Sequence, residues 1–406
     1  MQSASDKYDV IVVGAGPAGL CASQAAAEGG VKVLLLEKER QIGHPVRTSG
    51  GTWIEDMAKY GIPSACYNPI KRAYFNSPKN SAVFDYHEPL ACVLDVRRAY
   101  QHLALQSAMR GCEIVLGAGV QGLLKKNGTT GGVIYTQGGR TKQVEAKVVI
   151  DATGLSAVLA REAGLLTTWE RIGVGAEYEA YVEKLDKDTS YLIVGNEVAP
   201  SGYAWVFPVG DSRARIGVGV IRPEASESPF EYLSRLLETH SVIRQMGRIV
   251  PIELHQWNVP CAGPIKEFAK DRLLVVGDAA GHASPLVGEG IRHAMKFGQS
   301  AGRIAAHAAK EDIKSPQDLA EFQQEVKKEI STSYRISLKV QQRIAAFSDK
   351  KWDEAVGKLK QLEPEEFARL LRGDFALSSL VSLLTKHPFL ATSTSLRIAM
   401  SISKGH

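Results

Sequence analysis

Near the N-terminus the run Gly14-Ala15-Gly16-Pro17-Ala18-Gly19 has the spacing that brings backbone against a pyrophosphate. Gly14 permits a tight turn, Gly16 keeps any side chain out of the anion's way, and Gly19 lets the next helix pack close to the sheet. That helix then turns unpaired N–H groups and the positive end of its dipole toward the anion. Glu37, followed by Lys38, comes about 20 residues on, where an acid accepts hydrogen bonds from ribose hydroxyls. Its carboxylate would repel a 2′-phosphate, so the adenosine bound there belongs to FAD or NAD rather than NADP.

Two later segments choose between those. Val148-Val149-Ile150-Asp151-Ala152-Thr153-Gly154 reads as a buried strand ending in small residues, with Gly154 allowing close backbone approach. Leu273 to Gly281 reads as a second such strand, and after Gly277 its Asp278 is placed to hydrogen-bond a sugar-like chain. With these residues the chain resembles flavoproteins of the para-hydroxybenzoate hydroxylase fold, in which the Gly-Asp motif binds the ribityl hydroxyls of FAD. Within them it is most similar to the geranylgeranyl reductase family. That likeness rests on Gly277-Asp278-Ala279-Ala280-Gly281 followed by Ser284-Pro285-Leu286-Val287-Gly288-Glu289-Gly290-Ile291, and it spans roughly residues 8 to 305.

The resemblance implies further roles. Tyr203, Trp205 and Phe207, in Tyr203-Ala204-Trp205-Val206-Phe207-Pro208, match a motif whose aromatics line a lipid-binding cavity. Arg97 matches an arginine that contacts FAD, with Arg98 as a competitor. Gly288, Gly290 and Ile291 would bring backbone and a helix N-terminus to the isoalloxazine, where negative charge develops on reduction. One departure stands out. Where many family members carry a cysteine near the flavin, this chain has Ser49, which cannot become a thiolate near neutral pH.

The chemistry implied is reduction of isolated C=C bonds in isoprenoid (geranylgeranyl) chains of lipids, by hydride from reduced flavin with a proton supplied by an unassigned acid. His282 and His293 flank the motif and take no assigned role. Electrons would come from an external donor, ferredoxin-like or NAD(P)H, because no second strand–glycine–helix fingerprint marks a nicotinamide domain. A flavin-dependent aromatic monooxygenase of the same fold, or a quinone-linked electron carrier, would share the cofactor motifs. The W-x-W-x-I-P motif of halogenases is not found.

The elements that must position these residues follow from periodicity. Tyr8 to Val13, a small-residue helix over Ala18 to Ala27, and Val31 to Leu36 form a βαβ unit. Helical spacing from Leu94 to Met109 leads to the strand Glu113 to Leu116, and Val144 to Ile150 resumes the sheet. The expected fold class is α/β: a Rossmann-type FAD-binding domain from 1–65, 94–165 and 268–310, a mixed or antiparallel substrate domain from 66–93 and 166–267, and a helical C-terminal region over 311–406. Within that region, apolar helical spacing over Phe375 to Leu384 suits a segment that lies on a bilayer, caps the cavity or packs on the body.

Composition sets the bounds. The chain has 406 residues, 44% hydrophobic and 23% charged, which is the range of folded globular proteins. A formal charge of +5, spread rather than massed, gives no indication of a nucleic-acid partner and is compatible with peripheral membrane contact. Five scattered cysteines without a C-x-x-C pair read as reduced packing residues, with no metal site. With no secretory pattern before Tyr8 and no apolar run of about 18–20 residues, the expected location is cytoplasmic.

Overall fold

The computed structural model describes residues 7–311, 319–373, 375, 382 and 385–387. Its first sheet runs, edge to centre and out again, Ala269–Lys270, Leu273–Val275, Arg140–Asp151, Lys7–Val13, Val33–Glu37 and Glu113–Leu116. All neighbours are parallel except the short first pair. Val10, Ile11 and Val12 are fully buried, because helices cover a parallel sheet and its strands become continuous apolar runs.

The helices Pro17–Glu28 and Ile291–Lys310 lie against each other at unusually close range. A Cβ at Gly298 would fall 2.2 Å from the carbonyl oxygen of Ala18, and one at Gly302 would fall 2.1 Å from that of Ala22. Helix Val96–Met109 packs beside Pro17–Glu28, joined through the buried hydroxyls of Ser23 and Ser107 at 2.8 Å. Its first turn is capped by Asp95, which accepts from the N–H of Arg98.

The strand expected over Val144 to Ile150 is the inner part of Arg140–Asp151, the last strand of an antiparallel meander. Ala118–Lys126 and Thr129–Gln137 precede it. Its two turns, Asn127-Gly128 and Gly138-Gly139, all have positive φ, the conformation of tight hairpin turns. Those dipeptides were the available signal.

The second sheet has seven strands in the order Ile249–Pro260, Ile172–Val182, Arg213–Arg222, Tyr203–Pro208, Thr189–Ile193, Arg72–Asn76 and Ser81–Asp85. It is mixed, since Thr189–Ile193 runs parallel to Arg72–Asn76 while the other pairs are antiparallel. Helix Pro229–Thr239, started by a Ser228/Glu231 capping box, covers one face by burying Tyr232, Leu233 and Leu236. On the other face alternate positions are glycine, and indole rings pack onto them: at Gly217 a Cβ would come within 2.4 Å of the Trp205 ring, and at Gly175 within 3.0 Å of Trp257.

A small third sheet, Gly51–Trp53, Ala91–Leu94 and Tyr67–Ile70, joins segments on either side of position 65. The helices Ala320–Ile344, Asp349–Leu359 and Pro364–Arg372 follow. Phe367 from the last of them stacks on Phe84 with ring centroids 3.9 Å apart. Most of the apolar segment Phe375 to Leu384 lies outside the described residues. Among the described residues no helix is long and apolar enough to cross a membrane.

Candidate active site

The glycine loop divides its work between packing and openness. A Cβ at Gly14, where φ is +102°, would sit 2.4 Å from the Ala152 carbonyl oxygen, and one at Gly19 would overlap the Gly14 carbonyl at 1.8 Å. A Cβ at Gly16 would meet nothing within 4 Å, so this is the position that faces open space. Pro17 stands at the first turn of its helix, where a missing N–H costs nothing. Ala15 and Ala18 are buried behind the loop. Glu37 is its brace: Ala15 N–H donates to Oε2 at 2.6 Å and Glu39 N–H to Oε1 at 2.8 Å. Lys38 is exposed beside it.

Asp151, the last residue of its strand, organises the neighbouring turn. Its carboxylate accepts from Thr153 N and Oγ1, and from the N–H groups of Leu159 and Ala160. That sharpens the turn through Gly154, where φ is +67°.

Asp278 is different. It sits in the short turn Gly277–Ala280, half-buried, and no donor reaches its carboxylate among the described residues. Burial pushes its carboxyl up to about 6. Gly277 brings this turn against the first motif, since a Cβ there would touch that of Ala18 at 3.0 Å. Gly290 stands on the other side, its would-be Cβ 3.4 Å from Asp278 Oδ1. The motifs around residues 14–19, 277–281 and 288–290 therefore meet along one groove, with an unsatisfied carboxylate in its wall. An unpaired acceptor beside glycine backbone fits a chain of hydroxyls.

At the Gly288–Ile291 turn, Gly288 has a φ of +70° and Gly290 precedes helix Ile291–Lys310. The helix N-terminus is not wholly free. Glu289 accepts from the N–H of Arg292 at 3.0 Å and pairs with its guanidinium at 2.9 Å. Burial raises the Glu289 carboxyl, and Arg292 works against that rise.

From this turn opens a cavity of about 600 Å³. Ser49 and Thr52 line it at the same end as Glu289, and Thr52 Oγ1 lies 3.5 Å from Glu289 Oε1. Tyr203, Trp205 and Phe207 all line it, brought to one face by the two-residue repeat of their strand. Each aromatic is also fixed. The Tyr203 hydroxyl donates to the Val287 carbonyl at 2.7 Å, Trp205 Nε1–H donates to Glu177 at 2.9 Å, and Phe207 packs against Gly51.

Beneath Trp205 lies a buried ionic cluster that strand periodicity alone did not reveal. Glu177 also bonds His255 Nδ1 at 2.9 Å, and Glu179 binds Arg215 and Arg213. Arg215 donates to the carbonyls of Ser49 and Leu94 at 2.9 and 3.0 Å. Arg97 joins this network from outside, with Nη2 2.8 and 2.9 Å from the two oxygens of Glu253 and 2.9 Å from His44. Arg98 contributes its backbone N–H to the helix cap.

His282 and His293 are packing residues. Burial lowers His282 to about 3 and holds His293 well below the usual range. His282 accepts from the N–H of Gly277, and the Tyr334 hydroxyl donates to its carbonyl. All five cysteines are unpaired and buried.

This fold and groove are those of a dinucleotide-dependent redox enzyme. Residues 9–240 match the FAD dependent oxidoreductase family. A digeranylgeranylglycerophospholipid reductase of Methanocaldococcus jannaschii is 35% identical over 88% of this chain and 92% of its own length. Digeranylgeranylglycerophospholipid reductase 2 of Methanopyrus kandleri is 31% identical over 95% of this chain and 98% of its own. The structure of a geranylgeranyl bacteriochlorophyll reductase-like protein of Thermoplasma acidophilum superposes with a TM-score of 0.87 at 25% identity, covering 98% and 99% of the two chains. A flavin-dependent brominase reaches 0.70 at 19% identity, over 90% of this chain and 94% of its own, a likeness of fold alone. The chain belongs to the geranylgeranyl reductase family of FAD-dependent oxidoreductases.

Proposed function

We propose that this enzyme reduces isolated C=C bonds in the isoprenoid chains of lipids. The observation that carries the reading is an apolar cavity ending at the Gly288–Glu289–Gly290 turn, whose volume of about 600 Å³ lies inside the ~300–1,000 Å³ range of ligand pockets. In this reading the pyrophosphate of FAD lies along Gly14–Gly19, its adenosine ribose near Glu37, and its ribityl chain against Asp278. Gly154, where a Cβ would meet nothing within 4 Å, keeps the groove open, and Gly277 holds the Asp278 turn close against Ala18. Arg97 reaches the same groove if it exchanges Glu253 for the cofactor.

Bound there in reduced form, the flavin supplies a hydride. The chain's own residues do the rest. Tyr203, Trp205 and Phe207 hold an extended hydrocarbon without offering it a polar partner, and the tether from Tyr203 to Val287 fixes the wall to the glycine turn. The cavity excludes water from the alkene. An isolated alkene accepts hydride only as a proton arrives, and the protic groups at this end include Thr48, Ser49, Thr52, Tyr203 and Glu289. Ser49 can relay or donate a hydrogen bond, but it brings no thiolate to the flavin.

Electrons would come from a separate donor, ferredoxin-like or NAD(P)H, and the lipid would be met at a membrane surface from the cytoplasmic side. The lipid named in the relatives supports that contact.

The test is direct. The flavoprotein is reduced anaerobically, given geranylgeranyl lipids, and the products are weighed by mass spectrometry. A gain of two hydrogens per double bond is expected; no gain, with oxygen uptake stimulated by the lipid, would instead support a monooxygenase.

A further inference from the structure

Reduction of an alkene consumes a proton for every hydride, and the cavity wall limits what can give one. Among the described residues that line it, two carry a carboxyl, Glu289 and Glu354. Glu354 is exposed on helix Asp349–Leu359, whereas Glu289 is nearly buried at the glycine turn. The other protic groups at that end are poorer acids. Thr48, Ser49 and Thr52 offer alkyl hydroxyls, and the Arg292 guanidinium keeps its protons. The Tyr203 hydroxyl is raised by burial and spends its hydrogen on the Val287 carbonyl. Two thiols also line the cavity, and burial pushes Cys261 up to about 11 and raises Cys92 as well.

Glu289 is also held as a reacting group must be. Ser284 N–H donates to its carbonyl at 2.8 Å and Gly288 N–H donates to the Ser284 carbonyl at 2.9 Å, which closes the turn around it. Its Oε1 accepts from the Arg292 N–H, its Oε2 accepts from the Arg292 guanidinium, and Thr52 Oγ1 stands 3.5 Å from Oε1. Arg292 is fixed in turn, since its Nη2 donates to the Arg372 carbonyl.

Two effects oppose each other at the carboxyl. Burial raises it and Arg292 lowers it, with burial the larger. Glu289 therefore keeps its proton to higher pH than an ordinary glutamate, while Arg292 steadies the carboxylate that remains once the proton has left. The charged and titratable groups around it come from several elements. Arg292 lies on its own helix, Asp56 on helix Ile54–Lys59, and Asp278 beyond Gly290. Tyr100, Tyr203 and Tyr334 face it from three further elements, and burial raises all three, so they stay neutral. Asp56 is itself paired with Arg372 at 3.0 Å.

We infer that Glu289 is the general acid of the reaction, giving its carboxyl proton to one alkene carbon as the other takes the hydride, and that Arg292 positions it. This inference rests on the proposed function for the alkene and the hydride. The bound reduced flavin gives up the hydride and is oxidised, the π pair of the alkene takes the Glu289 proton, and two C–H bonds form. Glu289 is left as a carboxylate paired with Arg292. Solvent then returns the proton, for which the 11% exposure of the side chain leaves a path.

The test measures single turnovers on fully FAD-loaded enzyme, reduced anaerobically and mixed with geranylgeranyl lipid at several pH values. The wild-type rate should be highest at low pH and fall as pH rises through the Glu289 midpoint. Glu289→Gln should lose about 100-fold or more and lack that falling limb. The double variant Glu289→Gln, Arg292→Gln, which leaves no unanswered buried charge, should lose as much. Arg292→Gln alone should move the limb to higher pH, because the charge that lowers the carboxyl is gone.

A second readout needs neither turnover nor flavin. Infrared spectra of the flavin-free protein, wild type minus Glu289→Gln, isolate the protonated carboxyl of Glu289, because the Asp278 band is common to both. Its midpoint should lie above the 4.5 of an ordinary glutamate and rise further in Arg292→Gln. Turnover in the glutamine variant close to wild type, a falling limb that persists in it, or an infrared midpoint at or below the ordinary value overturns the assignment, and the reductase reading then stands on wild-type turnover alone. A wild type that reduces no prenyl lipid sinks the reductase reading and the acid with it.

Discussion

Replacing Asp278 with asparagine separates what the carboxylate costs from what it is for. Burial lifts this carboxyl to about 6, against 3.8 for an ordinary aspartate. Two pKa units correspond to ~3 kcal/mol of preference for the protonated form. Between those two values the folded, flavin-free protein binds more protons than the unfolded chain. The stability tied to this group is therefore full below about pH 4 and lost as pH rises through about 6. At neutral pH the flavin-free wild type carries the whole penalty, and a neutral amide of the same shape removes most of it. Asp278→Asn should thus stabilise the flavin-free protein by ~1–3 kcal/mol at neutral pH, with the gain gone near pH 4. The loaded protein should behave oppositely. Hydroxyl donation to a carboxylate is worth ~1.5–3 kcal/mol, so the Kd for FAD should rise roughly 10- to 100-fold in the variant. Wild-type affinity for FAD should itself increase with pH through this window. Urea unfolding of the stripped protein at several pH values, with FAD titrations followed by fluorescence, measures both halves. A flavin-free variant less stable than wild type at neutral pH would refute the reasoning and make Asp278 a structural anchor.

The glycine loop predicts a contrast between neighbours. Gly16→Val should leave the unfolding midpoint of the flavin-free protein within the equivalent of ~0.5 kcal/mol while abolishing flavin retention, because its Cβ meets open space. Gly19→Ala should instead lose stability by several kcal/mol, on the order of a core overpacking with backbone movement, since its Cβ would fall on the Gly14 carbonyl. Trp205→Phe removes the donor that Glu177 accepts from in the buried cluster and should cost ~1–3 kcal/mol in urea unfolding. Phe367→Ala deletes a ring stacked on Phe84 and should cost ~3–5 kcal/mol, read by thermal unfolding in the presence of FAD.

Much of this arrangement is legible in the sequence because local chemistry forces it. A run such as Val10 to Val13 followed by glycine at 14, 16 and 19 has few structural alternatives, and the two-residue repeat of Tyr203, Trp205 and Phe207 fixes a common face once the segment is a strand. The hairpins at Asn127-Gly128 and Gly138-Gly139 were also written plainly, in dipeptides whose positive φ is their reason for being there. What local pattern does not carry is the pairing of distant polar residues. Glu177, Glu179, Arg215 and His255 are spread over three strands, and on a strand each reads as an outward-facing charge. They become buried partners only when antiparallel register sets Glu177 opposite both Gly217 and His255. Glu289 is similar: its role depends on Arg292 one helical turn away and on Thr52 from another sheet.

That hidden cluster explains how a glycine-lined sheet holds an active-site loop in place. The strands under the cavity carry glycine at 175, 217 and 219, where the Trp205 and Trp257 rings lie close over the backbone, and although Phe207 packs against Gly51 it cannot hold the carbonyls of the loop at residues 48–51. Arg215 does it instead, by donating to the carbonyls of Ser49 and Leu94, and Gly50 is required because a Cβ there would lie 2.6 Å from the guanidinium. A buried guanidinium is tolerable only with its charge answered, and Glu177 and Glu179 supply the answer. Glu177 is in turn held by His255 and by the indole N–H of Trp205, the same ring whose face lines the cavity. One polar chain, hydrogen-bonded except for the 3.8 Å ion pair between Glu177 and Arg215, therefore runs from the wall that meets the hydrocarbon to the loop that carries Ser49. A substitution at Trp205 should for this reason move Ser49 as well as widen the cavity, coupling the fit of the chain to the geometry at the flavin.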